Sequence, residues 1–231
     1  IKCLTLNGYQ EIVLTGIHTG TYGDGQGYNL VDLIKKITPL EGLKRIRFSS
    51  IEIVELDDDF LEQLKENPKI CNHLHIPLQS GCDKTLKDMK RRYSVEEFMN
   101  RVKKIKKIRP EINLTTDIIV GFPEESDEDF ETTLQTAKEI GFSKIHTFPY
   151  SSRSGTLAST MKPVNDQVKK NRTHQMIELS EKLENAYYEQ FIGKVVEVLV
   201  EDKISGFTSE YIKVNLDKEA KQNTFVSVKI V

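Results

Sequence analysis

What this chain lacks narrows its class before any motif is read. Its 231 residues include three cysteines, Cys3, Cys71 and Cys82. They form neither an even disulfide framework nor a C-x-x-C pair, so a reducing, cytoplasmic setting is expected and a metal site built from those three alone is not. No apolar run approaches the length that a bilayer requires. Charge of either sign is nearly absent in the sum: 33 Lys and Arg against 35 Asp and Glu leave a net −2. That balance does not advertise a nucleic-acid binder, yet it leaves room for a local basic patch. The first residues carry no initiator Met and read as the tail of a helix ending at Asn7-Gly8, so a fragment that begins inside a fold is expected. What remains is ordinary globular composition, 38% hydrophobic and 29% charged, enough for one large domain or a medium one plus a small one.

Short apolar runs alternate with helical patterns. The strand candidates are 11–15, 45–49, 73–78, 114–120 and 144–150. Asn29 is placed to cap a helix carrying Leu30, Leu33, Ile34 and Ile37, which Pro39 stops. Asp57, Asp58 and Asp59 favour a helix start ahead of Phe60, Leu61 and Leu64. Val95, Phe98, Val102 and Ile105 make an apolar stripe with Lys103, Lys104, Lys106 and Lys107 mostly off it. Ser126 with Asp129 resembles a capping box. Successive strands begin roughly 30 to 40 residues apart, the length of a βαβ crossover, so a parallel sheet is predicted, open or closed into part of a barrel. After about residue 160 a long amphipathic helix, 166–191, leads past Gly193 into alternating strands at 195–201, 211–216 and 225–231. These predict a small antiparallel barrel or sheet.

The predicted strand ends are polar and rich in glycine. The most informative is Asn113-Leu-Thr-Thr-Asp-Ile-Ile-Val-Gly-Phe-Pro-Glu-Glu125, an apolar run that halts at Gly121, where the missing Cβ admits close approach to the backbone. Sister rims are Thr15–Gly23, Ser49–Glu52, Gln79–Gly81 and Pro149–Thr156. Ligands bind at the carboxyl ends of parallel strands, and five such rims suit one large ligand or two lying together. Plainer readings stand beside these. His73 and His75 face one side of a strand, either as packing or as a metal pair. Lys84, Lys87, Lys90, Arg91 and Arg92 suit a solvated helix face.

Taken together the rims resemble the radical S-adenosylmethionine methylthiotransferases. The resemblance rests on Leu14-Thr-Gly-Ile-His-Thr-Gly20, Arg45-Ile-Arg-Phe-Ser-Ser-Ile-Glu52, His75-Ile-Pro-Leu-Gln-Ser-Gly81, Met89-Lys-Arg-Arg92, Asp117-Ile-Ile-Val-Gly-Phe-Pro-Glu124 and Tyr150-Ser-Ser-Arg-Ser-Gly-Thr156. The segment Gly206–Val214 resembles the TRAM domain, a small RNA-binding β-barrel. Thr15–His18 and Ser49–Glu52 look most like the branch acting on N6-threonylcarbamoyladenosine 37 of tRNA. The branches acting on isopentenyladenosine tRNA and on a ribosomal protein are the alternatives, as is a non-catalytic RNA-binding module. A metal-dependent barrel using His73, His75 and His146 is a further alternative.

The resemblance implies an α/β fold, a partial radical-SAM-type (β/α) barrel with an appended TRAM-like β domain. Its boundaries would be 1–160 for the core, 161–192 for a linking helix and 193–231 for the β domain. It implies S-adenosylmethionine as cofactor, tRNA as partner and [4Fe-4S] clusters in the full-length protein. Thr15 and Gly16 would meet the methionine amino group, Ser50, Gln79 and Ser80 would line the cofactor, and Arg92 would pair with its carboxylate. Asp117, Ile119 and Gly121 would hold the ribose and adenine. Arg153, Lys194, Lys203 and Lys213 are the RNA-contact candidates. One departure is plain: the family's C-x-x-x-C-x-x-C does not occur here. The chain is therefore expected to bind no cluster by the usual ligands and to be inert by itself.

Overall fold

The computed structural model describes residues 1–231. The chain divides into two compact units, one of Ile1–His75, Ile105–Asn113 and Tyr188–Val231, the other of Ile76–Lys104 and Leu114–Tyr187. No helix is long and apolar enough to cross a membrane.

The first unit opens with α1 (Lys2–Leu6), β1 (Glu11–Leu14), α2 (Leu30–Ile37), β2 (Arg45–Phe48), α3 (Asp58–Glu66) and β3 (His73–His75). Helix α2 starts where the sequence demands. Asn29 accepts from Asp32 N at 3.0 Å and Asp32 accepts from Asn29 N at 3.0 Å, so two orphan amides are satisfied reciprocally. Asp57 caps α3 by accepting from Phe60 N at 2.8 Å. Strands β1 and β2 pair in parallel, Glu11 against Arg45 through Leu14 against Phe48. Ile34, Leu43, Ile46, Phe48, Phe60 and Leu64 are all buried, and the Phe48 and Phe60 rings meet edge to face at 5.3 Å.

Strand β2 is buried along its whole length because its charged side has partners too. Arg47 binds Glu11 at 2.6 Å and donates to the carbonyls of Thr208 and Ser209. Arg45 donates to the carbonyls of Phe207 and Glu197. The Arg47 guanidinium lies 4.7 Å from the Tyr211 ring centroid, and that of Arg45 lies 4.6 Å from the centroid of Phe225. Compactness thus groups the terminal sheet with the first strands, along a different line from the sequence-based boundaries. That sheet is antiparallel. Numbering through the chain, it holds β6 (Val195–Asp202), β7 (Ser205–Phe207), β8 (Lys213–Asn215) and β9 (Phe225–Lys229), in the order β8-β7-β6-β9. Strand β7 was not predicted, since Ser-Gly-Phe is too short to alternate. Gly206 is needed there because a Cβ would run into Leu199 O.

The second unit holds α4 (Asp83–Asp88), the first ten residues of α5 (Val95–Ile108), β4 (Asn113–Val120) from Leu114 on, α6 (Asp127–Ile140), β5 (Lys144–Pro149) and most of α7 (Asp166–Glu189). Helix α6 has its capping box, Ser126 with Asp129 at 3.1 and 2.8 Å, and stops at Gly141 in the left-handed region. Strands β4 and β5 are parallel, with Asp117 opposite His146 and Ile119 opposite Phe148.

The predicted third strand, 73–78, is shorter in the structure. It ends at His75 because Pro77 has no N–H to give and Gln79 turns through φ +65°. The segment keeps its alignment by single bonds, Ile76 N to Thr115 O at 2.9 Å and Gln79 N to Asp117 O at 2.8 Å.

Candidate ligand-binding site at the end of the fourth strand

The carboxyl-terminal half of β4 carries Asp117 and Ile119 half-exposed while Ile118 and Val120 are buried. The period of two therefore turns one polar and one apolar side chain the same way. Gln79 joins them because its backbone brackets the strand: its N–H donates to Asp117 O and its carbonyl accepts from Ile119 N at 2.9 Å. Strand β5 adds Phe148, 49% exposed, beside Ile119. The chain then turns through Pro149–Ala158. Together Gln79, Asp117, Ile119, Phe148, Tyr150, Ser151, Arg153 and Thr156 line a cavity of about 440 Å³. The Tyr150 ring is fixed edge to face against Phe122 at 5.2 Å. Phe148 and Tyr150 were not singled out from sequence. The register against Ile119 is the signal that would have found Phe148.

Gly121 follows β4 directly and, like Ser80, is not among the residues lining the cavity. Its φ is +69°, and a Cβ would overlap the aliphatic chain of Lys169 in α7. The close approach that a glycine allows is therefore taken by this lysine. The Gly121 N–H donates to Glu125 Oε2 at 2.8 Å, and the same oxygen accepts from Arg172 at 2.6 Å. The Glu125–Arg172 pair is sealed, with side-chain exposures of 1% for Glu125 and 5% for Arg172. Burial pushes the Glu125 carboxyl up, while the Gly121 amide and Arg172 oppose that shift.

Ser80 is wholly buried below the rim. Its hydroxyl meets Thr133 at 3.1 Å and accepts from Cys82 N at 3.2 Å, which fixes the turn. Arg92 is exposed just after α4 and is not among the residues lining the cavity. In the first unit Thr15 and Gly16 are exposed where β1 ends, and Ser50 is half-exposed after β2, where Ser49 N donates to Leu14 O at 3.0 Å. The structure thus brings Gln79, Asp117, Ile119 and Arg153 together. Of the surface lysines, Lys194 pairs with Glu111 at 2.6 Å, Lys203 lies 3.8 Å from Glu219, and Lys213 is exposed.

The cysteines stand apart in character. Cys3 is exposed, whereas Cys71 and Cys82 are buried. Burial pushes the Cys71 thiol up to about 12, so it stays protonated. The Cys82 thiol donates to Asp129 at 3.4 Å. Cluster ligation needs thiolates, and the buried Cys71 does not supply one. No group of three or more His, Cys, Asp or Glu side chains is arranged to hold a metal ion. His73 lies against the Tyr211 ring, 5.0 Å between centroids, which favours its reading as packing.

A family model described as the radical SAM superfamily matches residues 2–137. Threonylcarbamoyladenosine tRNA methylthiotransferase MtaB of Bacillus subtilis is 45% identical over 219 residues, covering 90% of this chain and 49% of that protein. MtaB of Thermotoga maritima is 40% identical, covering 91% and 50%. The tRNA-2-methylthio-N(6)-dimethylallyladenosine synthase of Acetivibrio thermocellus is also 40% identical, covering 95% and 48%. The chain spans about half the length of these relatives. Among solved structures, the radical SAM enzyme coproporphyrinogen III oxidase of Escherichia coli has a TM-score of 0.54 at 18% identity, covering 66% of this chain and 37% of that one. Methylornithine synthase has a TM-score of 0.50 at 19% identity, covering 78% and 51%. At such identities the likeness is one of fold: α/β, of the radical SAM kind, with parallel strand pairs and a small antiparallel sheet.

Proposed function

The chain belongs to the radical SAM superfamily, and from that premise we propose that it is part of a tRNA methylthiotransferase. In this reading the whole protein adds a methylthio group at C2 of N6-threonylcarbamoyladenosine 37, in the cytoplasm, and residues 193–231 serve as a TRAM-like RNA-binding module after the 1–160 core and the 161–192 helix. Relatives from both tRNA branches match at 40% identity. The choice between the branches therefore rests on Thr15–His18 and Ser49–Glu52, together with the 45% identity of the Bacillus subtilis protein.

The observation that carries the proposal is the convergence of Gln79, Asp117 and Ile119 on one cavity of about 440 Å³. Its size lies within the range of roughly 300 to 1,000 Å³ common for small-ligand pockets. A nucleoside needs an apolar wall for its base and acceptors for its hydroxyls, and Ile119, Phe148 and the Asp117 carboxylate have that chemistry. The residues therefore fit the nucleoside part of S-adenosylmethionine, which supplies the radical and methyl-transfer chemistry when bound. Asp117 would accept from ribose hydroxyls, Ile119 and Phe148 would exclude water from the base, and the Gln79 amide would orient it. Gly121 and Ser80 would hold the rim. Thr15, Gly16, Ser50 and Arg92 stay in the proposal for the methionine end on their motifs alone. The superfamily also implies an iron–sulfur cluster. The cysteines of this chain do not fit one, and no step is assigned to them.

Calorimetric titration with S-adenosylmethionine tests the site. Asp117→Ala should weaken binding by about 10- to 100-fold, the worth of a charge-assisted hydrogen bond. Unchanged affinity in that variant would remove Asp117 from the site. RNA binding with no cofactor affinity in the unaltered chain would favour the non-catalytic module. Nucleoside analysis of tRNA from cells lacking the gene tests the substrate: loss of the methylthio group from isopentenyladenosine instead of threonylcarbamoyladenosine would move the protein to the other branch.

A further inference from the structure

Between Lys84 and Arg109 eleven side chains are Lys or Arg and three are Asp or Glu, in a chain whose net charge is −2. Some of these cations have internal work. Lys84 binds Asp129 at 2.7 Å. Arg109 donates to the carbonyls of Leu64, Asn67 and Ile70. Lys106 is half-buried, and burial lowers its pKa. Of the remaining eight, Arg91 and Arg101 are half-buried, while Lys87, Lys90 and Arg92 on and just after α4 and Lys103, Lys104 and Lys107 toward the end of α5 are exposed. Residues of an α-helix are spaced 3.6 to the turn, so Lys103, Lys104 and Lys107 share an arc of about 100°. Phe98, Val102 and Ile105 of the same helix are buried. No acid follows Glu97 in α5. The helix dipole favours cations only in its last turn, and Lys103 and Lys104 lie before it.

We propose that the exposed lysines of the second unit on and just after α4 and on α5 as far as Lys104 bind the phosphate backbone of an RNA substrate. The proposal rests on the tRNA reading above and adds to it a surface outside the terminal sheet. Two observations favour RNA over an acidic protein. No large apolar side chain is exposed between Lys84 and Arg109, whereas protein interfaces need an apolar centre. Nucleic-acid interfaces are polar and strongly cationic. The terminal segment 193–231 is electrostatically flat by comparison, with six lysines against six acids, and Lys194 and Lys203 each have a carboxylate at hand. The main attraction for a polyanion therefore lies on α4 and α5.

The test titrates the chain against a labelled tRNA anticodon stem–loop at several salt concentrations. Each phosphate left without its lysine should flatten the slope of log K against log salt by about 0.7 to 0.9. The variant Lys87→Ala/Lys103→Ala/Lys104→Ala should therefore bind at least tenfold more weakly at ~0.1 M salt, with a slope shallower by about 2. A charge-matched variant, Lys35→Ala/Lys36→Ala/Lys65→Ala, removes exposed lysines of α2 and α3 and should change neither quantity. Equal losses in the two variants would reduce the effect to bulk charge and overturn the surface. So would unchanged binding in the first variant while the unaltered chain binds. Competition by polyglutamate as strong as by RNA, at equal charge concentration, would assign the surface to an acidic protein and overturn the proposal. If the unaltered chain binds no RNA at any salt, the tRNA reading itself falls, and the surface with it.

Discussion

Replacing Arg172 by Met should be among the most damaging single changes available in the second unit, and the reason is local. Arg172 Nη1 lies 2.6 Å from Glu125 Oε2, with both side chains at least nineteen-twentieths buried. Its other partner, Asp127 at 2.7 Å, has a side chain 97% exposed, so that bond adds little in water. Met fills the apolar path beside Phe130 but leaves the Glu125 carboxylate buried with only the Gly121 amide to stabilise it. Removing one partner of a buried pair costs about 3–5 kcal/mol, a large part of the roughly 5–15 kcal/mol that keeps a domain folded. The pH dependence gives the reasoning its sign. Burial already raises the Glu125 pKa above its ordinary 4.5, and without Arg172 it should rise further. A raised folded-state pKa in an acid means that stability is fully present below the unfolded value and is lost as pH rises through the folded one. Urea unfolding of both proteins should therefore show a small difference near pH 4 and a deficit that grows toward neutrality. The double variant Arg172→Met/Glu125→Gln should recover part of that deficit. A deficit that is constant with pH, or below about 1 kcal/mol at pH 7, would refute the assignment of the cost to a stranded carboxylate.

Two further outcomes concern Gly121 in the second unit and the cysteines of the first. Gly121→Ala should cost about 1–2 kcal/mol for the left-handed backbone alone, plus displacement of Lys169, and should weaken S-adenosylmethionine binding in calorimetry. A normal thermal midpoint with full affinity would contradict it. Under native conditions at pH 8 a thiol reagent should modify Cys3 promptly and leave Cys71, whose pKa is pushed up to about 12, unreacted until denaturant is added. Rapid labelling of Cys71 in the native protein, read by peptide mass, would contradict its buried environment.

Much of the scaffold was legible because it is set by neighbours in sequence. The cap at Asn29 and the capping box of Ser126 with Asp129 need only three residues of separation and formed as read, and the structure adds Asp32 as the reciprocal partner of Asn29. Buried runs such as Leu114–Val120 also declare themselves. Where the reading ran over, local chemistry was underweighted: Pro77 and the positive φ of Gln79 end the third strand early. What stayed hidden depends on distant pairs. Arg172 and Glu125 are 47 residues apart, so nothing near either one announces the other. Arg45 and Arg47 stood in a motif, yet their carbonyl acceptors lie more than 150 residues onward. Gly121 was read as a place where a ligand approaches the backbone, and the neighbour found there is Lys169. For the cavity, Asp117 and Ile119 came from the family resemblance, whereas Phe148 needed the register between β4 and β5.

The two arginines of β2 have a consequence for how the chain can be cut or inherited. Between them they serve four backbone carbonyls, those of Glu197 and Phe207 in the terminal sheet and of Thr208 and Ser209 in the turn after β7. Removing the residues after α7 would leave two guanidinium groups on a strand whose other face is core, with Glu11 as their one remaining carboxylate. The terminal sheet is then no detachable cassette. It should unfold together with the first strands, and a recombination that swaps it must carry matching acceptors for Arg45 and Arg47.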